Sequence, residues 1–323
     1  MTRLSFSPAA LQRLLAFAGL VALMLVFSIA SDNFLQTDNL VSILQATAVN
    51  GVLAIACTLV IVSGGIDLSV GCLMTFCAVV TGVVLTNWGM PLPLGILAAI
   101  ATGAVCGALS GWLVAQLRVP PFIATLGMMM LLKGLALVIS GSKPIYFLDT
   151  PGFEAIAQDS LLGAVLPALP IPNSVLILFA VAIVASWLLS QTLFGRYAFA
   201  LGSNEEAARL SGLQVKRWKV AVYAVGGAIC GIAGLLIASR LNSAQPALGQ
   251  GYELDAIAAV VIGGTSLVGG RGSVLGTLIG AFIMSVLANG LRILNVPQEW
   301  QTALTGIIIV LAVYLDILRR GKD

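Results

Sequence analysis

Val62-Ser63-Gly64-Gly65-Ile66-Asp67-Leu68-Ser69-Val70-Gly71 and Val261-Ile262-Gly263-Gly264-Thr265-Ser266-Leu267-Val268-Gly269-Gly270 are the stretches that decide how this chain folds. Each is a polar, glycine-broken interruption between apolar runs. If the runs lie in lipid, glycine-interrupted segments at corresponding places in two halves point to a transport pathway. The surrounding sequence settles the solvent. Hydrophobic residues make up 59% of the chain and charged residues 9%, against about 25% charged in soluble domains. Mean hydropathy is +1.06. No Asp, Glu, Lys or Arg occurs from Leu14 to Ala30 or from Leu68 to Leu117. A helix needs about 20 apolar residues to cross a bilayer.

Working outward, apolar periodicity with breaks at Pro, Gly and charge predicts about ten spans, near 14–30, 43–63, 68–87, 92–115, 122–141, 172–190, 218–239, 254–268, 273–293 and 300–318. The eighth is short and glycine-rich, a candidate for a helix that does not cross regularly. The first run follows Arg3 and Arg13 and ends in Ser28-Ile29-Ala30, but it exceeds the 7–15 residues of a signal-peptide core and reads as a retained helix. The expected fold is all-α: a single polytopic transmembrane domain, residues 1–323, in a compact bundle with some helices broken.

Lys and Arg set the orientation. With the amino terminus inside, the inner segments and their margins hold Arg3, Arg13, Arg118, Arg196, Arg209, Lys216, Arg217, Lys219, Arg271, Arg319, Arg320 and Lys322. Only Lys133, Lys143, Arg240 and Arg292 fall elsewhere. Both termini are then cytoplasmic. A long outer segment runs over about 140–172 and an inner one over about 191–218.

Several functions are excluded by composition. There is no histidine, so imidazole metal ligands and histidine bases are absent. Cys57, Cys72, Cys77, Cys106 and Cys230 all sit in apolar runs and read as packing residues. A net charge of +3 is no nucleic-acid footprint. Gly263–Gly272 lacks the Lys-Ser/Thr of a phosphate-binding loop. No catalytic residue, metal site or cofactor is expected on this chain.

The inner segment carries the most specific local pattern. Asn204 is a candidate N-cap, Glu205 and Glu206 suit the first turn of a helix, Ala207, Ala208 and Leu210 give a small apolar face, and Gly212 is a C′ stop. Lys216, Arg217 and Lys219 follow. By itself the pattern fits an interfacial helix or an ordinary loop anchored by positive charge. Asp67 and Lys133 are charges near or within spans, which usually face a cavity or a partner. They either line a pathway, where they can pair with each other, or do simpler work: Asp67 capping the third span with help from Ser63, Lys133 snorkelling. Gly103, Gly107 and Gly111 have the small-xxx-small spacing of close helix packing. Trp88, Trp112, Trp187, Trp218 and Trp300 fall near span ends, as in an interfacial belt.

Glu206-Ala207-Ala208, three residues and then Gly212 resemble the EAA loop of bacterial ABC importer permeases. The match widens through Ser63–Gly71, Pro121-Phe122-Ile123-Ala124-Thr125-Leu126, Gly195-Arg196-Tyr197, Ser243-Ala244-Gln245-Pro246, Gly251–Val261 and Gly263–Leu267. Together these resemble the ribose-type sugar permeases of the branched-chain amino acid/ribose permease family, from about Asn33 to Asp316. The longer EAA consensus is not followed at Lys219-Val220-Ala221-Val222.

The resemblance implies an inner-membrane permease that imports a monosaccharide, ribose first among xylose, arabinose, galactose, allose and a furanosyl signal. It implies a homodimer with the pathway between copies, an ABC ATPase with two nucleotide-binding domains holding ATP and Mg, and a periplasmic sugar-binding protein. Asn204, Glu205, Glu206, Ala207, Ala208, Arg209 and Gly212 would couple to the ATPase. Gly64, Gly65, Asp67, Ser69, Lys133, Gly263, Gly264, Thr265 and Ser266 would form the pathway or gate. Arg240, Gln245 and Glu253 would receive the binding protein. An ion-coupled secondary transporter is the competing class, with Asp67 and Lys133 as its support. A membrane enzyme finds no paired carboxylates or metal cluster to rest on. The two glycine phrases are expected at the inner ends of their spans, running in the same direction, where they would bend.

Overall fold

The computed structural model describes residues 8–165 and 170–320; Arg3 and Lys322 lie outside them. Thirteen helices occur among the described residues: α1 (Pro8–Ala30), α2 (Thr37–Val62), α3 (Val70–Gly82), α4 (Leu92–Ala115), α5 (Pro121–Ser140), α6 (Leu161–Val165), α7 (Asn173–Gln191), α8 (Leu193–Ser203), α9 (Glu205–Leu210), α10 (Val215–Leu241), α11 (Tyr252–Ile262), α12 (Val274–Ile293) and α13 (Gln298–Arg320). A π-helical turn, Val83–Asn87, extends α3. The ends follow local chemistry. Pro121 opens α5, where its missing N–H is no loss, and Gly141 closes it at φ +61°. The Ser273 hydroxyl caps α12 by accepting from the Gly276 N–H at 3.1 Å.

Among the described residues, eight helices are long and apolar enough to cross a membrane: α1 to α5, with α3 and its π-turn as one, then α7, α10 and α12. α13, at 23 residues, has the length as well. The eighth segment, 254–268, does not cross as one regular helix, in line with its short, glycine-rich sequence, and only its bounds as a span are corrected. α11 has 11 residues and reaches only about 16 Å, because Gly263, Gly264, Gly269 and Gly270 end the helix and turn the chain before α12.

α2 occupies the centre, with Leu53, Ile55, Leu59 and Ile61 fully buried. A helix apolar on every side is stable only when surrounded, and α7, α10, α11 and α12 all pack on it. The tightest pair is α4 with α10. Gly103 and Gly107 lie directly against the backbone of Gly227 and Tyr223, and a methyl group on Gly111 would come within 2.8 Å of the Val220 Cα. The small-residue stripe is a packing device, as its spacing predicts. All five cysteines are free and buried.

At one end of the bundle, β1 (Ile145–Tyr146) pairs antiparallel with β2 (Ser243–Ala244). The 140–172 segment is tied down beside them. The buried Ser239 hydroxyl donates to the Phe153 carbonyl at 2.7 Å and accepts from the Ala157 N–H at 3.0 Å. The Phe147 and Phe153 rings stack 3.9 Å apart. α1 is peripheral: it packs on α12 through Leu20 and Phe27 and leaves Leu14, Leu15, Phe17, Leu25 and Val26 exposed. Trp88, Trp112, Trp187 and Trp300 are exposed, while Trp218 packs edge-on against Tyr197 and Phe194.

Candidate functional site

The two glycine phrases make the same cap. α2 ends with the Gly64 N–H donating to the Ile61 carbonyl at 2.9 Å and the Gly65 N–H to the Val60 carbonyl at 3.1 Å. α11 ends with the Gly264 N–H on Val261 at 2.9 Å and the Thr265 N–H on Val260 at 3.1 Å. Gly64 and Gly264 stand at φ +79° and +91°. This is the Schellman arrangement, which satisfies carbonyls that a helix end leaves open and needs a left-handed residue at C′. Beyond the cap the phrases diverge. The first climbs beside α5 and α10: the Leu68 N–H donates to the Thr125 hydroxyl at 3.2 Å, and the Tyr223 hydroxyl donates to the Ile66 carbonyl at 3.3 Å. The second turns straight back into α12.

The phrases also meet. The Gly270 N–H donates to the Val62 carbonyl at 2.9 Å. A methyl group on Gly269 would lie 2.8 Å from the Gly64 Cα and 3.0 Å from the Gly202 Cα. Gly202, near the end of α8, lies against both Val62 and Gly270. One turn from this junction the Thr58 and Thr277 hydroxyls share a hydrogen bond of 2.6 Å. Three chain segments thus touch backbone to backbone, because Gly64, Gly202, Gly269 and Gly270 bring no side chain to the contact.

Two residues beyond Gly202, Asn204 begins α9. Its side-chain oxygen accepts from the Ala207 N–H at 2.9 Å, so the N-cap expected from sequence is formed. At the other end the Gly212 N–H donates to Arg209 at 3.0 Å and the Leu213 N–H to Ala208 at 3.1 Å, with Gly212 at φ +83°. α9 therefore has both ends satisfied, which a six-residue helix needs, since its few internal bonds do not repay nucleation. Glu206 and Arg209 pair at 2.6 Å on its surface, and Glu205 pairs with Lys219 of α10 at 2.6 Å. Ala208 is its only buried residue; Leu210 is 79% exposed. α9 projects from the bundle, held at its base.

Asp67 is 4% exposed and accepts from the Ser69 N–H at 2.8 Å and the Ser69 hydroxyl at 2.6 Å. Two sequence readings are corrected here. Asp67 is not paired with Lys133, whose ammonium donates to the Gln250 side-chain oxygen at 2.7 Å. Nor does Ser63 help cap α3: its hydroxyl turns back to the Val60 carbonyl at 2.8 Å, the shorter local path. Ser69 occupies the N-cap position of α3, and Asp67 braces it. Thr265 is fully buried and Ser266 nearly so, both within the second break.

At the end that carries β1 and β2, Gln245 donates to the Ser243 hydroxyl at 3.0 Å and Arg240 is half-buried. Glu253 is corrected as a docking residue. It is 7% exposed, packed against Gly71, and accepts from the Gly251 N–H at 3.0 and 3.1 Å, so it fixes the start of α11 instead of meeting solvent. Sequence reasoning missed Gly202, Tyr223 and Gln250, and named Thr125 only within a matching motif, with no role. Of the three, Gly202 had a signal, a glycine at the end of the amphipathic stretch before Asn204.

Membrane-length helices around two capped breaks, with a projecting helix at the junction, define a multi-pass membrane protein. The family model described as "Branched-chain amino acid transport system / permease component" matches residues 39–313, and the chain belongs to that family. It is 42% identical to the ribose import permease protein RbsC of Escherichia coli strain K12 over 96% of this chain and 95% of that one. It is equally 42% identical to RbsC of Bacillus subtilis strain 168, over 95% and 93%. The xylose transport system permease protein XylH of E. coli K12 is 36% identical over 97% and 93%. No solved structure matches.

Proposed function

We propose that this chain is the membrane-spanning subunit of an ATP-driven importer for a monosaccharide, ribose first. The likeness to two ribose import permeases over nearly the whole chain supports the sugar. The observation that carries the mechanism is α9: an exposed, doubly capped helix two residues from the place where both helix breaks meet. In this reading an ABC ATPase with two nucleotide-binding domains receives α9 of each of two copies, with ATP and Mg held on the ATPase. A sugar-binding protein delivers from the end that carries β1 and β2, over Arg240 and Gln245. The membrane is the bacterial inner membrane and both termini are cytoplasmic, which puts α9 and its neighbours Lys216 and Arg217 on the inner side.

The mechanism follows from the contacts. A displacement of α9 moves Gly202 first, since Asn204 joins the two helices without slack. Gly202 bears on Val62 and Gly270 together, so both caps are loaded at once. The breaks yield before the helices, because few hydrogen bonds cross them. The whole importer in proteoliposomes tests this. Glu206→Lys removes the pair with Arg209 and reverses the charge presented to the ATPase; ribose uptake is expected to vanish while the permease remains in the membrane. Normal uptake by that variant, or wild-type uptake that persists without the ATPase, refutes the reading.

A further inference from the structure

Away from the glycine junction, a charged side chain within a membrane-length helix meets other polar groups beside α3. Lys133 is the thirteenth residue of α5, about 18 Å from its first at 1.5 Å per residue. Its hydrogen-bond partner Gln250 belongs to the 245–251 segment, which leaves β2, folds back against α3 and enters α11. Thr75 of α3 faces the same gap. It is 4% exposed, and its hydroxyl has no hydrogen-bond partner. Between them lies a cavity of about 10 Å³ whose lining includes Cys72, Thr75, Lys133, Pro246, Ala247 and Gln250. That is room for about one water molecule.

Such an arrangement is costly as a packing solution. A lysine this deep is unfavourable unless it faces a cavity or partner, and a buried hydroxyl without a partner is unfavourable too. Isosteric apolar residues would remove both costs. The groups fit a ligand that brings hydroxyls. We propose that Lys133, Gln250 and Thr75 form a transient hydroxyl-binding site for the transported pentose, closed in this conformation by the Lys133–Gln250 hydrogen bond. The inference rests on the sugar-importer reading above.

When the 245–251 segment swings away from α5, the bond opens and three kinds of group face the gap. The ammonium donates, the carboxamide donates and accepts, and the Thr75 hydroxyl does either. Each sugar hydroxyl is both donor and acceptor, so one pentose can answer all three. An apolar amino-acid side chain would leave Gln250 and Thr75 unpaired, which builds the preference for a polyol into the site. Because the sugar binds only the opened arrangement, it stabilises that arrangement by its differential affinity, and its passage favours opening.

The test uses purified full-length permease in nanodiscs, without the binding protein. Ala247→Cys places a thiol on the cavity wall in a Cys72→Ala background; the other native cysteines are buried. Alkylation by a small charged thiol reagent is timed with D-ribose or L-leucine present. D-ribose is expected to slow it saturably, about threefold at twice the half-protecting concentration by 1 + [L]/Kd. L-leucine is expected to have no effect. Thr75→Val should raise the half-protecting concentration about tenfold, the effect of one lost hydrogen bond. No labelling, labelling indifferent to ribose, or equal protection by leucine overturns the inference. ATP-driven ribose uptake by the intact wild-type importer separates the two readings. Uptake without protection removes the site and leaves the importer; no uptake removes the importer reading and this site with it.

Discussion

Gly202→Ala is the sharpest probe of the junction. The added methyl would be driven into the Val62 carbonyl oxygen and the Gly270 amide, and would lie 3.0 Å from the Val62 carbonyl carbon. All are backbone atoms, so no rotamer change relieves the overlap and one of three segments must shift. Overpacking of this kind costs about 1–3 kcal/mol. The Gly270 N–H to Val62 bond lies in the same gap, and its loss adds about 1 kcal/mol. A total of about 2–4 kcal/mol is large against the 5–15 kcal/mol of a typical fold. At roughly 2 °C per kcal/mol, purified Gly202→Ala should melt about 4–8 °C below wild type. Gly127→Ala, within α5, is the control: nothing lies within 4 Å of its methyl position, and alanine is the better helix former, so its melting should not fall. In the assembled importer the ATPase should still bind, since α9 is untouched, but ribose moved per ATP hydrolysed should fall. A Gly202→Ala variant with wild-type melting and wild-type uptake would refute the reasoning.

Other outcomes follow from the same contacts. Asn204→Ala removes the α9 cap and should cost about 1 kcal/mol of local stability, seen as faster amide exchange at Ala207 with Gly226 unaffected. Glu205 is exposed, while the Lys219 side chain is only 18% exposed, so a double-mutant cycle should give a coupling of about 1 kcal/mol that shrinks as salt is raised. Ser239→Ala leaves the Ala157 N–H and Phe153 carbonyl without their buried partner, a loss of about 1–3 kcal/mol; limited proteolysis of intact protein should then cut the 140–172 segment faster, while the α9 region is cut at the wild-type rate. Gly107→Leu should prevent the α4–α10 contact altogether, read as loss of folded protein on size-exclusion chromatography.

What could be read from the chain divides along sequence distance. The α9 helix was legible because Asn204, the acidic first turn and Gly212 are all local signals acting within a few residues. The breaks were legible for the same reason: Gly64 and Gly264 announce left-handed caps. That the caps meet each other was not, because the Gly270–Val62 bond joins residues some two hundred apart and glycines carry no side chain that names a partner. Lys133 shows the limit from the other side. Its charge marked it as needing a partner, and Asp67 was the obvious candidate by sign. Gln250 won because the 245–251 segment folds back to its depth, whereas Asp67 is already committed to Ser69. Glu253 misled through its neighbours: set among polar residues it reads as surface, yet the small Gly71 opposite admits its carboxylate to the interior.

The peripheral seat of α1 has a consequence for synthesis. Its packing partner in the bundle is α12, reached through Leu20, Phe27 and the gap left by Gly290. Some two hundred and forty residues separate the end of α1 from the start of α12. At about 5–20 residues per second the ribosome needs roughly 12–50 s to cover them. Throughout that interval α1 waits in the lipid without its partner, so it must be stable there alone. Its uncharged run from Leu14 to Ala30 makes that possible.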